Sequence, residues 1–480
     1  MPSSRRTPLL IIFLTVFIDL LGFGIVLPLL PRYARHFQAD GLTLGLLMAS
    51  FSAMQFLFAP LWGRISDRVG RRPILMLGLA GSAGFYSLFG YCTSLGASGT
   101  LWGLGVIPWL FICRIGAGIA GATIPTAQAY IADVTGPKER ARGMAMIGAA
   151  FGIGFTFGPL LGAAFVPGDI SDFGSKSGGQ VARTLEITSE QSASIGQVVE
   201  EYARERKTLG RSSSRDERES LKRRRDERLA GILTDEQAAR LHVMEAPSPA
   251  PGYVAGALSA LALLSAIFLL PESLPPGARP EARHWLDLSS LRQAVARPSI
   301  GLILLTTFLT TCAFGQFEST LSLLTEFLGL ADRDNYLVFA YIGFVLSLSQ
   351  GGLVRRLLPR LGEFKMAVAG TVLMTAGLIL IALSATREST SMLYAVLPVV
   401  VIGFSCLNPS LQSMLSLRTD ATQQGGILGL GQSMSALARI LGPVIGLTLN
   451  DRDITFPYWT AAAIMGVGIA LTLGLREQSK

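Results

Sequence analysis

The sequence predicts an all-α integral membrane protein. Twelve transmembrane helices form two pseudo-symmetric six-helix bundles, with a helical extracytoplasmic insertion between helices 5 and 6. Three observations point this way. Apolar runs of about 20 residues recur along the chain, each long enough to cross a bilayer as helix at about 1.5 Å per residue. Only 15% of the 480 residues are charged while 50% are hydrophobic. Short stretches of the first half also return in the second at a fixed distance.

The runs lie near 8–30, 42–62, 73–94, 103–131, 141–165, 252–271, 299–321, 335–354, 364–385, 391–415, 427–449 and 455–475. Lipid gives a backbone no partner but itself, so such runs span as helices. Barrel strands would be about half as long and would alternate in polarity. The start "MPSSRRTPLLIIFLTVF" has the basic flank and apolar core of a signal peptide. It lacks a small-residue cleavage site and is followed by Asp19 within the same run, so it is the first span.

Lys and Arg set the orientation. The N-terminus, every second loop from Gly63–Arg72 onward and the C-terminus hold 20 of them, against 5 in the short loops opposite. Basic residues collect on the cytoplasmic side, so both termini are expected there, in an inner (plasma) membrane protein. The net charge of +8 is then a topology signal with anionic lipid as neighbour, and no nucleic-acid partner is needed.

The chain repeats itself. "IPTAQ" (Ile124–Gln128) followed by "GPLLG" (Gly158–Gly162) returns as "NPSLQ" (Asn408–Gln412) followed by "GPVIG" (Gly442–Gly446), both at an offset of 284 residues. "RRLLPRLGEFK" (Arg355–Lys365) likewise follows the eighth span as "GRISDRVGRRP" follows the second. Two related six-span units with a midplane site between them are expected. The boundaries are 1–166 for helices 1–5, 167–251 for the insertion, 252–271 for helix 6, 272–298 for a proline-rich cytoplasmic linker and 299–480 for the second bundle.

The insertion balances 14 Lys/Arg against 15 Asp/Glu. Long segments cross the membrane regardless of such charge, so the topology stands. "ITSEQSASI" (Ile187–Ile195) and "LTDEQAARL" (Leu233–Leu241) each place Gln three residues after Thr, a capping-box pattern for a helix start. Between them "SSSRDERESLKRRRDER" (Ser212–Arg228) suggests a solvated turn and helix. A short helical subdomain, such as a hairpin, is expected. Its Thr-x-x-Gln starts are similar to those of small periplasmic chaperone-like proteins, and decoration without chemistry is the plainer reading.

The four cysteines (Cys92, Cys113, Cys312, Cys406) lie in or beside spans without paired spacing, as buried small hydrophobes would. His36, His242 and His284 are far apart in sequence, so no metal site is expected.

The loop "GRISDRVGRR" (Gly63–Arg72) puts four arginines and one aspartate between two apolar runs. Arg68, Arg71 and Arg72 satisfy the positive-inside rule, but Asp67 does not. Ringed by arginine near helix ends, it can form ion pairs that hold one helix arrangement and release in another.

With Pro73 this loop resembles the signature of the major facilitator superfamily between its second and third spans. "ICRIGAGIAGA" (Ile112–Ala122) is similar to the fourth-span motif, with Arg114 at its basic position. "GFTFGPLLGA" (Gly154–Ala163) is similar to the fifth-span antiporter motif, with Ala163 where that motif has its last glycine. "DLLGFGIVLPLLP" (Asp19–Pro31) resembles the first span of the same twelve-span drug/proton antiporter group. With "LQSMLSLRTDATQQGGILGL" (Leu411–Leu430), the order of motifs most resembles the tetracycline-resistance efflux branch. The tetracycline carriers have acids in the third and ninth spans where this chain has Phe85 and Met374. The resemblance implies a proton-coupled, monomeric multidrug-type exporter that works on the proton gradient with no cofactor, and names Gly63, Asp67, Arg68, Gly70, Arg71 and Arg72 as its conformational-switch loop.

Four ionisable residues lie well within apolar runs: Asp19, Arg114, Glu318 and Arg439. A charge at the bilayer centre costs roughly 3 kcal/mol on insertion scales, so such residues face the interior and are functional by default. A carboxyl taken from water favours its protonated form, which suits a proton carrier. Asp19 and Glu318 are expected at related places on one cavity, either one as the carrier. A structural ion pair with Arg114 or Arg439 is the competing reading. Gly154, Gly158 and Gly162 put small residues on one helix face for close approach, and Pro159 weakens that helix locally. Gln55, Gln128, Gln316, Asn408 and Gln412 are neutral polar candidates for a substrate cavity.

The leading function is proton-coupled export of a small amphiphilic compound. A proton-coupled metabolite or sugar symporter and a non-transport membrane protein acting through the outer insertion are the alternatives. No phosphate loop, metal cluster or nucleophile–base pair is evident, so neither an ATP-driven pump nor an enzyme is expected.

Overall fold

The computed structural model describes residues 6–96, 99–135, 137–166, 170, 181–183, 185–209, 215–274, 298–419 and 424–475. The described chain is helical, with one isolated bridge between Leu101 and Leu104. Ten of its helical stretches are long and apolar enough to cross a membrane. Pro137–Gly162, whose apolar part is Ala149–Gly162, and Gln424–Asn450 complete twelve.

The first half comprises α1 (Arg6–Val26), the short α2 (Leu30–His36), α3 (Gly41–Val69), α4 (Arg71–Ser94), α5 (Val106–Ala120), α6 (Ile124–Val134), α7 (Pro137–Gly162) and, after the insertion, the sixth span α11 (Ala250–Leu269). The insertion holds α8 (Ser189–Leu209), α9 (Arg215–Ala230) and α10 (Asp235–Glu245). The second half comprises α12 (Pro298–Phe327), α13 (Asp332–Leu348), α14 (Arg355–Leu361), α15 (Glu363–Thr386), α16 (Thr390–Leu417), α17 (Gln424–Asn450) and α18 (Phe456–Gly474). Most of the expected linker, including Pro275, Pro276, Pro280 and His284, lies outside the described residues.

Two spans are interrupted where the sequence disfavours regular helix. The fourth passes through a 3₁₀ turn at Gly121–Thr123, and Pro125 then falls in the first turn of α6, where its missing N–H costs nothing. Its counterpart Pro409 lies inside the unbroken α16. The eighth widens into a π segment at Ser349–Val354, over "SQGGLV", before α14.

Glycine sets the helix spacing. A side chain at Gly158 would meet the Gly24 Cα at 2.9 Å, and one at Gly442 would meet the Gly315 Cα at 3.3 Å. Thus α7 packs backbone to backbone on α1, and α17 on α12 in the same way. The expected small-residue face exists, but it divides its work: Gly154 and Gly158 meet α1, while Gly162 admits the ring of Tyr336 from α13 of the other half. Met374 is fully buried, and Phe85 fills the space beside Gly116.

The insertion is more than a hairpin. Its helices enclose a core of their own, with Ile195, Val198, Leu229, Leu233 and Leu241 at its centre. Both capping boxes form, at Thr188 with Gln191 and Thr234 with Gln237. The two glutamines then bond to each other at 2.9 and 3.2 Å, tying the two helix starts together. Arg225, expected in a solvated stretch, is instead buried over Tyr202 and paired with Glu245. Residues 212–214 and 171–180 lie outside the described residues.

All four cysteines are free and buried. Large apolar side chains such as Leu57, Leu264, Phe268 and Val467 are exposed on the bundle, as a lipid-facing surface requires.

Gly158→Val is expected to lower stability by about 2 kcal/mol or more, because Gly24 backbone cannot yield to the new side chain. Gly63→Ala, inside α3 with nothing within 4 Å of the added carbon, is expected to raise stability by about 0.5–1 kcal/mol. Thermal midpoints of the two purified variants in detergent check both.

Candidate functional site

Three polar regions interrupt the apolar bundle: the charges inside the spans and a network at each end.

Inside the spans, Asp19 accepts a 3.0 Å hydrogen bond from Ser259 Oγ on α11. Tyr86 lies within electrostatic reach of both Asp19 and Arg114. Arg114 is 3% exposed, with its guanidinium 4.4 Å from the centroid of Phe51, and its Nε and Nη1 have no hydrogen-bond partner. Glu318 on α12 feels Arg439 on α17, yet no ion pair forms within 4.0 Å. The Arg439 side chain is exposed. Neither acid, both half-buried, is tied up in an ion pair among the described residues.

The expected symmetry of Asp19 and Glu318 needs correction. Gly24 and Gly315 meet the repeat-related Gly158 and Gly442 in the same way. Asp19 precedes its glycine by five residues and Glu318 follows its own by three, so the two acids do not occupy equivalent positions of the repeat. The structure does not bring the two carboxyls together; each keeps its own partners in its own half.

The neutral candidates divide similarly. Gln316 is fully buried and accepts from Thr460 Oγ1 at 3.0 Å, which makes it a packing contact between α12 and α18. Gln55 donates to the Gly121 carbonyl at 3.3 Å, beside the 3₁₀ turn. Gln412 reaches Asn408 at 3.5 Å on α16, and Gln128 is exposed on α6.

At one end, the Gly63–Arg72 loop is a clasp within the first half. Arg71 pairs with Asp67 at 2.5 Å and with Asp133 of α6 at 3.2 Å, and donates to Ser66 Oγ at 2.7 Å. Sequence reading missed Asp133 and Glu272. The Glu272 carboxylate accepts the N–H groups of Arg71 and Arg72, capping α4, and those of Ser273 and Leu274. It lies against Gly70, whose φ of +113° and lack of a side chain both permit the approach. Partial burial opposes ionising Glu272, but the four N–H groups outweigh it and hold its carboxyl below the usual glutamate value. The Gly63 carbonyl accepts from Ser66 Oγ at 2.6 Å, and Arg68 adds no clasp contact among the described residues.

At the other end the two halves are latched to each other. Arg32 pairs with Asp332 at 2.7 Å and donates to Thr325 Oγ1 at 2.9 Å and the Ser322 carbonyl at 3.2 Å. Asn335 and Ser322 donate to the Pro28 carbonyl at 2.8 and 2.7 Å, and Tyr336 donates to the Ile25 carbonyl at 2.7 Å. Asp451 accepts from Arg35 and from the Gly41 N–H. The insertion sits at this same end, where Tyr33 donates to the Ser248 carbonyl at 2.7 Å. One signal for the latch was available in the sequence, since Arg32 and Arg35 lie on the side that the positive-inside rule leaves poor in arginine.

A twelve-span bundle in two like halves, latched at one end and carrying charge within, defines a membrane transporter of the alternating-access type. Residues 12–171 and 241–443 match the Major Facilitator Superfamily, and the chain belongs to that family. The break in the match falls within the insertion. The chain is similar to multidrug resistance protein 2 of Bacillus subtilis (strain 168), 24% identical over 99% of this chain and 97% of that protein. It is 28% identical to the class C tetracycline resistance protein of Escherichia coli, over 98% and 96% of the two chains. Among solved structures it resembles the human organic anion transporter MFSD10 (TETRAN), with a TM-score of 0.60 and 24% identity over 98% of this chain and 100% of that one.

Two outcomes are expected. Arg32→Ala removes three bonds at once and should favour opening of the latched end by about 2 kcal/mol, read as faster hydrogen exchange across Ser322–Tyr336. Glu272 stabilises the fold fully above a glutamate's ordinary value of 4.5, and this contribution fades as pH falls through its lower folded value. The stability difference between the wild type and Glu272→Gln should therefore shrink below about pH 4.5, checked by thermal melts against pH.

Proposed function

We propose that the protein exports a small amphiphilic compound in exchange for protons, by alternating access of the two halves. The observation that carries this is the pair of unpaired carboxyls inside the spans, in a bundle whose halves meet through breakable polar contacts. A proton on Asp19 or Glu318 removes a charge from the bundle interior. Protonated, Asp19 no longer accepts from Ser259 as a carboxylate, and Glu318 no longer attracts Arg439. Either change alters how helices of one half hold together and so biases the latch. The proton gradient is the driving force; no cofactor, catalytic group or resident metal takes part. The resistance proteins named above support the export direction, and the apolar packing of Phe85 and Met374 favours cargo other than tetracycline.

The working form is a monomer in the inner (plasma) membrane, with both termini, the clasp and α14 cytoplasmic and the latch and insertion outside. A second reading is favoured by the unpartnered donors of Arg114: a cargo bearing an anionic group, as the description of the solved human relative also suggests.

Proton release from inside-out vesicles, measured against a panel of anionic, zwitterionic and cationic compounds, tests the proposal. At least one compound should drive proton movement, and Asp19→Asn or Glu318→Gln should reduce it by about tenfold or more. Wild-type fluxes in both variants would overturn the coupling role, and no response to any compound would overturn antiport of such cargo.

A further inference from the structure

The two related loops at the clasp end are neutralised differently. In the first half, Asp67 and Asp133 pair with Arg71, and Glu272 takes the N–H groups at the start of α4. In the second half, "RRLLPRLGEFK" forms α14 and the start of α15. Arg355, Arg356, Arg360 and Lys365 are all exposed, and among the described residues their side chains have no ion pair or hydrogen bond. Glu363, the acid of this segment, accepts instead from Ser413 Oγ at 3.1 Å.

The surface around these cations is apolar. Arg356 and Arg360 stand one turn apart on the same helix face. Leu353 and Leu361 flank them at 39% and 44% exposure. The other side of the segment is committed to protein, with Val354 and Leu358 packed near Met366 and Cys406. Above it, Phe344 and Leu348 continue the apolar surface at 56% and 63% exposure. Cationic heads beside exposed leucines at the end of a spanning helix match the depth where a lipid's phosphate meets its acyl chains.

We propose that α14 with Lys365 binds the phosphate group of an anionic phospholipid, which takes the place of the protein carboxylates that clasp the first half. The flanking leucines and the adjoining lipid-facing helix fit a phosphate attached to acyl chains; a soluble phosphate would leave them uncovered. On the orientation proposed above, the lipid comes from the inner leaflet. Guanidinium near a membrane surface contributes roughly fivefold each to binding an anionic headgroup.

Native mass spectrometry of the full-length protein in detergent, titrated with phosphatidylglycerol or phosphatidylcholine, tests this. The wild type should bind phosphatidylglycerol preferentially. The triple variant Arg355→Gln, Arg356→Gln, Arg360→Gln should weaken that binding by well over tenfold while phosphatidylcholine binding stays unchanged. Arg360→Gln alone should lose about fivefold, and this exposed single change keeps the test usable if the triple variant does not fold. Arg387→Gln and Arg452→Gln, at the opposite end, should have no effect. Equal phosphatidylglycerol binding by wild type, single and triple variants would overturn the site. Full displacement of the lipid by millimolar inorganic phosphate would overturn the lipid as its occupant.

Discussion

Inside a bilayer a peptide group has only other peptide groups to bond to, and the rest of this molecule follows from that demand. It forces each apolar run into helix. It also removes the hydrophobic drive that would press those helices together in water, so cohesion must come from close contact and from polar bonds. The contacts of Gly158 with Gly24, and of Gly442 with Gly315, supply the first. Because both are backbone contacts, they fix helix register within each half with little freedom, and Asp19 and Glu318 fall at different positions relative to them.

Polar bonds are placed where they can be made and broken. The latch joins the halves through Arg32, Asn335, Tyr336 and Asp451 at one end of the bundle, where a donor or acceptor freed by opening can be solvated. The clasp at the other end binds elements of the first half to one another and leaves that half able to move as a unit. Packing thus makes each half stiff, while the seam between them relies on replaceable hydrogen bonds. Motion of one half against the other needs this division. The acids inside the spans are well placed to influence it because each contacts its own half's helices.

The insertion departs from this scheme because it has water around it. It builds an independent core and ties its helix starts through reciprocal glutamine bonds. It attaches beside the latch at Tyr33, which is itself packed in the first-half core.

The sequence by itself determined what depends on neighbours along the chain. Span length, the glycine face of the fifth span and both capping boxes are local patterns that the bilayer or the helix geometry enforces, and the 284-residue repeat is legible by comparing the two halves of the chain. It also exposed Asp19, Arg114, Glu318 and Arg439, since charge in an apolar run stands out. Only the tertiary structure decided which of these share an environment, because register between helices is set by contacts such as Gly24 with Gly158. The same holds for Glu272 at the start of α4, for Asp133 against Arg71 and for Arg32 against Asp332. Those partners are separated by 62 to 300 residues, and no local pattern specifies them. Their pairing is fixed by which helix ends the folded bundle brings to the same surface.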